Sequence, residues 1–478
     1  MTDAMALPRI IQGGMGVAVS NWRLANAVSI RGQLGVVSGT ALDTVFVRHL
    51  QDGDIGGHMR RAMERFPIAG VAEDAITRYF LCEGRAEGQP YKLLPLLKQR
   101  VSVARQQLTV LANFVEVFLA KEGHGNAVGI NFLTKVQMPN LASIYGAMLA
   151  GVDYVLMGAG IPREIPGMLD VLAEHRPASM RFDVEGLAVG ETESLSFDPA
   201  EHGAAIGAPL KRPRFLPIVS ANSLATTLAR KANGAVDGFV VEGWTAGGHN
   251  APPRGEPHFN DKGEPIYGER DSVDLRKLGE IGLPFWVAGG AGSPEGLSGA
   301  LSIGAAGVQV GTLFAYCEES GFAPQLKHDV LDHAARGDVD VITDPRASPT
   351  GYPFKVVEWA RDGRQMLERK RICDLGYLRV AYKAPDGRIG YRCAAEPVDD
   401  YVRKGGAEAD TQGRKCLCNA LTANVGLAQL RGSGQVERPL LTSGDDLKTI
   451  DRFLGTRTSY SAGDVIDYLL GTPSNSPF

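Results

Sequence analysis

Val241-Glu242-Gly243-Trp244-Thr245-Ala246-Gly247-Gly248-His249-Asn250 joins an apolar run to a glycine-rich segment with one histidine. The run Gly238–Val241 reads as a buried strand. Glycines let a backbone approach a bulky ligand closely. Histidine is the side chain best suited to proton transfer near neutral pH. His249 is therefore the candidate catalytic residue, with general acid/base work as its chemistry. A purely structural histidine is the bland reading of the same position.

Gly289-Gly290 and Gln309-Val310-Gly311-Thr312 form a second constellation. Each follows or ends a short apolar run. Loops after consecutive strands can seat a phosphate on backbone N–H groups, and side chains there would block those groups. Thr312 adds a hydroxyl. Ordinary turns are the alternative for either motif alone.

These residues need elements to position them. Short apolar strands are predicted at Arg9–Gln12, Gly35–Ser38, Val128–Phe132, Tyr154–Met157, Phe215–Val219, Gly238–Val241, Phe285–Ala288 and Gly307–Val310. Helical stretches lie between them, the clearest being Val101–Ala120. Met180–Lys211 reads as an insertion. Alternating strands and helices imply a parallel sheet. Eight units over about 330 residues point to an α/β fold, a (β/α)8 TIM barrel, with a doubly wound open sheet as the alternative. In a barrel the C-terminal strand ends would share one face. Gly13-Gly14-Met15, Asn131, Gly158, Ser220, Glu242, Gly247, Gly248, His249, Gly289, Gly290 and the 309–312 run would all lie there. Small and polar groups on that face suit a large flat ligand with a phosphate.

From about residue 336 the texture changes. The reading divides the chain into a barrel over 1–335 and an appended α+β lid or cap over 336–478. In the latter, Asp344–Lys355 reads as a loop and Val356–Arg369 as a helix. Gly376–Lys383 and Arg388–Arg392 read as a hairpin, Leu447–Phe453 and Ala462–Leu470 as short helices, and Gly471–Phe478 as a loose tail. Cys373, Cys393, Cys416 and Cys418 have spacings C-x19-C-x22-C-x-C. That pattern lacks paired C-x2-C knuckles, so free thiols are expected and no metal ligands are assigned. Arg254, His258, Tyr267, Glu269 and Arg270 could cover a substrate, and Arg346 and Lys355 could meet an anionic one. Solvated charge is the simpler reading of both sets.

The ordered set Ile10-Ile11-Gln12-Gly13-Gly14-Met15, Gly129-Ile130-Asn131, Gly158-Ala159-Gly160, Ala246-Gly247-Gly248-His249, Ala288-Gly289-Gly290 and Gln309-Val310-Gly311-Thr312 resembles the nitronate monooxygenase (2-nitropropane dioxygenase-like) family over roughly residues 9–320. The resemblance implies a TIM barrel with non-covalent FMN. Asn131 would contact the flavin. Gly247, Gly290 and Gln309–Thr312 would line its ring or phosphate site, and Gly13-Gly14-Met15 would pass beneath the ring. His249 would match the family's proton-transfer histidine. Glu242 stands where the family usually has glutamine, and Leu313 where arginine or a similar residue is common. Asn250-Ala251-Pro252-Pro253-Arg254, with Gly158-Ala159-Gly160-Ile161-Pro162, looks more like a longer enoyl-reductase-like branch.

The implied reaction is oxidation of an alkyl nitronate or nitroalkane with O2. An NAD(P)H-dependent enoyl-thioester reductase is the alternative, so a small-molecule or carrier-bound substrate and NAD(P)H both stay open. A non-catalytic or metal-scaffolded barrel working in a multienzyme assembly is the alternative of another class, and a homodimer is a further open partner. The 478 residues carry a net charge of −4, which gives no reason to expect nucleic acid or an anionic membrane surface. No apolar run reaches the roughly 18–20 residues of a spanning helix. Met1–Pro8 lacks the pattern of a signal peptide. A cytoplasmic location is the default expectation.

Overall fold

The computed structural model describes residues 7–203, 207–359, 370–432 and 434–471. Eight parallel strands run Ile10–Gln12, Gly35–Ser38, Val128–Leu133, Tyr154–Gly158, Arg214–Val219, Phe239–Glu242, Phe285–Ala288 and Gly307–Val310. Their order around the sheet is 1-8-7-6-5-4-3-2. The first and second strands meet through a parallel bridge, Ile11 to Leu34. There Gln12 N donates to Leu34 O at 2.9 Å and Leu34 N to Ile10 O at 3.0 Å. The sheet is thus a closed barrel, and the open-sheet alternative falls.

The strands are short and almost wholly apolar because both faces are buried. Ile11, Val36, Leu156, Leu216, Val240 and Trp286 pack as one cluster. Trp286 is fully buried, and its Nε1 donates to Pro8 O at 2.7 Å. An indole in a core needs such an acceptor. Outside the barrel, Val103–Ala120 packs against Asn140–Leu149. A buried ion pair at 2.6 Å between Arg105 and Asp43 ties it to the helix Leu42–Gln51 as well.

The segment Ala178–Phe182 pairs antiparallel with Glu193–Phe197, so the insertion is a hairpin. Beside it Val184–Glu185 pairs with the later strand Val380–Lys383. The hairpin expected near Ala384–Gly387 forms from Val380–Lys383 and Ile389–Arg392.

One expected helix is corrected. Phe354–Trp359 is a strand, paired antiparallel with Val339–Asp344 in the register Val341 to Val357. Residues 354–357 are all buried, and β-branched neighbours favour that extended surface over a helix. Residues 360–369 of that expected helix, and 472–478 of the expected tail, lie outside the described residues. Leu447–Phe453 is divided between a 3-10 turn, Asp445–Thr449, and a short helix, Asp451–Leu454.

The helix after the eighth strand is only Thr312–Ala315. The place of an eighth barrel helix is taken by Ala462–Leu470. It packs against Trp22–Ile30 on one side and Pro294–Ser302 on the other. Ser461 caps it, with Ser461 Oγ accepting from Asp464 N. Asp467 pairs with Arg31 at 2.5 Å. No described helix is long and apolar enough to cross a membrane.

Replacing Trp286 by Ala should cost about 3–5 kcal/mol of stability, the range for emptying a large core site. Trp286→Phe, which mainly loses the bond to Pro8, should cost about 1 kcal/mol. Urea unfolding of the two variants measures both.

Candidate functional site

The C-terminal strand ends open into one cleft. Gly13, Gly14, Met15, Asn131, Gly158, Glu242, Gly247, Gly248, His249, Gly289, Gly290, Gln309, Gly311 and Thr312 all line it. Two candidate residues lie elsewhere. Val310 is buried in the layer between barrel and helices, because alternate strand residues face opposite sides. Ser220 lines an adjoining cavity. Ala159, Ile218, Glu242 and His249 line both spaces and form the wall between them.

Local chemistry shapes the first loop. Gln12 is buried and accepts from Val36 N at 3.0 Å, while Ser20 Oγ donates to Gly13 O at 2.7 Å and accepts from Met15 N at 2.9 Å. Asn131 Nδ2 donates to Gly14 O at 3.3 Å.

The sixth-strand loop is held from outside the barrel. Gly248 N donates to Thr442 Oγ1 at 2.8 Å, and Asp445 N to Thr245 O at 2.9 Å. Gly444 N donates to Thr312 Oγ1 at 3.1 Å. A Cβ on Gly247 would lie 2.7 Å from Ser443 C and 2.8 Å from Gly444 N. The glycine is therefore required by a neighbouring backbone as well as lining the cleft. On the other side Lys355 N donates to Gly248 O at 2.9 Å and Asn250 N to Pro353 O at 2.9 Å. Thr442, Ser443, Gly444, Asp446, Leu421, Asn424 and Phe354 join the cleft wall. Sequence reasoning missed them all. The Thr-Ser-Gly-Asp run reads as a loop, and its partners lie far away in the chain.

His249 Nε2 lies 2.7 Å from Ser348 Oγ, which is 2.8 Å from Thr350 Oγ1. The imidazole meets Phe354 edge to face at 4.8 Å. Burial lowers His249 to about 4, so the ring is neutral at pH 7. Burial raises Glu242 to about 8. At neutral pH the carboxyl, not the imidazole, holds the proton. Burial, then the nearby Asp445, also raises Asp446. Among the described residues, no lysine or arginine lines the cleft.

The other expected charges are engaged elsewhere. Lys355 is buried and pairs with Asp445 at 2.8 Å. Arg346 is exposed and lines neither space. Arg254 lines the adjoining cavity and donates to Ser220 O at 2.8 Å. Tyr267 stacks on Trp244 there at 5.3 Å, whereas His258, Glu269 and Arg270 line neither space.

The cleft's polar inventory bears on a cofactor. Asn131 Oδ1, Gln309 Oε1 and Asn424 Oδ1 are buried without a hydrogen-bond partner. Three such acceptors lining one cleft suit a ligand rich in N–H and O–H donors. The amides of Gly290 and Thr312 donate to no described protein group. Gly289 and Gly290 have φ of 82° and 73°, values that keep the turn free of side chains. The four-residue helix after the eighth strand adds little dipole.

A family model described as nitronate monooxygenase matches residues 184–345, which contain strands five to eight. The nitronate monooxygenase of Pseudomonas aeruginosa is 32% identical over 196 residues, covering 40% of this chain and 49% of that protein. The nitronate monooxygenase of Paraburkholderia phytofirmans is 30% identical over 173 residues, covering 36% and 41%. A probable nitronate monooxygenase of Staphylococcus saprophyticus is 29% identical over 190 residues, covering 36% and 50%. The matched stretches thus span half or less of those relatives. Among solved structures, FabK from Thermotoga maritima is similar at 16% identity and a TM-score of 0.48, covering 98% of this chain and 92% of that one. The resemblance carried by the ordered motifs stands on the family model and these relatives.

Two outcomes test the geometry. Gly247→Ala should cost about 1–3 kcal/mol by overpacking and speed proteolysis near 441–446, with far-UV circular dichroism unchanged. The second concerns pH. A raised Glu242 binds its proton more tightly in the folded chain, so its contribution is complete below about 4.5 and lost as the pH rises through about 8. His249 acts in the opposite sense: its contribution is complete above 6.5 and lost as the pH falls through about 4. Glu242→Gln should match the parent near pH 5 and exceed it above pH 8 by roughly 2–4 kcal/mol. Denaturant titrations at both pH values decide this.

Proposed function

We propose that this nitronate monooxygenase-like chain is an FMN-dependent oxidoreductase that oxidises alkyl nitronates with O2. The observation that carries the reading is the cleft at the strand ends, with glycine turns at one end and three unpartnered amide oxygens along its wall. Flavin and ribityl groups offer the donors those oxygens lack. Gly13, Gly14, Met15 and Asn131 would hold the ring. Gly247, Gly248, Gln309 and Asn424 would meet its polar edge and ribityl chain. Gly289, Gly290, Gly311 and Thr312 would seat the phosphate through backbone N–H groups. When bound, the flavin supplies the redox chemistry, and the protein supplies position and electrostatics.

His249 binds and orients the substrate as a neutral imidazole fixed by Ser348. A base lowered to about 4 is poorly matched to removing a proton at pH 7. A nitronate arrives already deprotonated, so orientation suffices. Glu242 carries the proton on the wall between the two spaces and keeps that wall uncharged. Phe354, Leu421 and the run Thr442–Asp446 act as the lid that excludes water from the cleft.

A second reading has one observation in its favour. The adjoining cavity, walled by Trp244, Tyr267, Leu224 and Ile161, shares Glu242 and His249 with the cleft and offers a longer substrate a second surface. An enoyl thioester reduced with NAD(P)H would fill it.

The purified protein should be yellow or take up FMN. Mixed without oxygen, propyl-2-nitronate should bleach the flavin and NADPH should not. Rapid bleaching by NADPH with turnover of an enoyl thioester would transfer the conclusion to the second reading. A colourless protein that takes up no FMN would end both. His249→Ala should raise KM for the nitronate about tenfold or more, the loss expected for an orienting hydrogen bond.

A further inference from the structure

Cys373, Cys393, Cys416 and Cys418 line one small cavity whose remaining wall is apolar. None of its lining residues borders the cleft. All four cysteines are free thiols. Among the described residues no three His, Cys, Asp or Glu side chains are placed to hold a metal ion. The contact that stands out is a pair. The hairpin Val380–Lys383 and Ile389–Arg392 returns the chain, and Cys393 comes back beside Cys373 in the wall of that cavity.

The proximity of the two sulfurs favours one of them as thiolate at the other's expense. It lowers Cys373 from the ordinary thiol value, helped by Arg379 and Lys404 and opposed by burial and Glu396. The same contact, then burial, pushes Cys393 well above it. Burial lifts Cys416 to about 11 and raises Cys418 as well. One sulfur of the four is thus favoured as thiolate, with a thiol partner in contact. This is the arrangement of an attacking and a resolving cysteine.

We infer that Cys373 and Cys393 form an oxidisable dithiol that takes a peroxide as its oxidant. The Cys373 thiolate attacks one peroxide oxygen and the O–O bond breaks. With hydrogen peroxide, the departing hydroxide takes a proton from solvent and leaves as water. Cys373 is then a sulfenic acid. The Cys393 sulfur attacks the Cys373 sulfur, the S–S bond forms and the S–O bond breaks. The Cys393 proton goes to the departing hydroxide, giving a second water. The two thiols lose two electrons and the peroxide gains them. The product ties Cys373 to Cys393 beside the start of Leu417–Ala423, whose Leu421 lines the cleft. The inference does not rest on what the cleft binds.

The test uses the full chain, reduced, freed of reductant and given one equivalent of hydrogen peroxide. It is then unfolded, alkylated and mapped as peptides without reduction. The expected product links Cys373 to Cys393 with loss of two hydrogens, and the other four cysteines are alkylated. Cys393→Ser should leave a sulfenic acid at Cys373 that dimedone traps. Cys373→Ser should slow peroxide consumption by about tenfold or more. No linkage in the parent protein, linkage through Cys416 or Cys418 instead, or stoichiometric zinc or iron on the purified chain would each overturn the inference. The parent mapping stands even where a variant fails to fold.

Discussion

The cleft depends on one close backbone contact. Residues 442–445 lie against the sixth-strand loop at 245–248, near enough that a single methyl at Gly247 would collide with the chain. Hydrogen bonds from Gly248 and Asp445 hold the two segments in register, and one from Gly444 ties the outer segment to Thr312. The same loop pairs on its other edge with the strand carrying Phe354 and Lys355. His249 is therefore gripped from both sides by chain outside the eight strands. Its position follows from that clamp more than from its own strand.

The clamp also sets the electrostatics. It covers the histidine with Phe354 and ties it to Ser348, so protonation would strand a charge among apolar groups. Lys355 is spent on Asp445 within the clamp and brings no charge to the cleft. The described lining of the cleft offers amides, hydroxyls and shape in place of lysine or arginine. Such a site discriminates by hydrogen-bond pattern, because no strong field pulls in every anion alike.

Much of the barrel was legible because its strands are buried on both faces. Gly35–Ser38, Phe285–Ala288 and Gly307–Val310 stand out as short apolar runs, and the helices between them show the other period. Most of the candidate residues share one wall for the same reason, since a parallel barrel brings its strand ends together. What was not legible depends on pairing across long stretches of chain. Phe354 and Lys355 look like the end of a loop and Val356–Trp359 like the start of a helix until Val339–Asp344 is set beside them. Thr442–Asp446 carries turn-forming residues and no periodicity, so nothing local reveals that it borders the cleft. The four cysteines lack a knuckle spacing, and only the hairpin fold brings them to one cavity.

The helix Ala462–Leu470 has a consequence for how the molecule is made. It occupies the outer ring between the first and seventh helices, yet it follows the eighth strand by some of the longest connecting chain in the protein. During synthesis the barrel must wait, one side uncovered, while the intervening residues emerge. Leu24 and Val28 stay open to water or to chaperones until Val465 and Ile466 arrive to pack in their cluster. Closing so long a loop is slow. Aggregation of nascent chains, more than instability of the finished fold, is then the hazard that such an architecture carries.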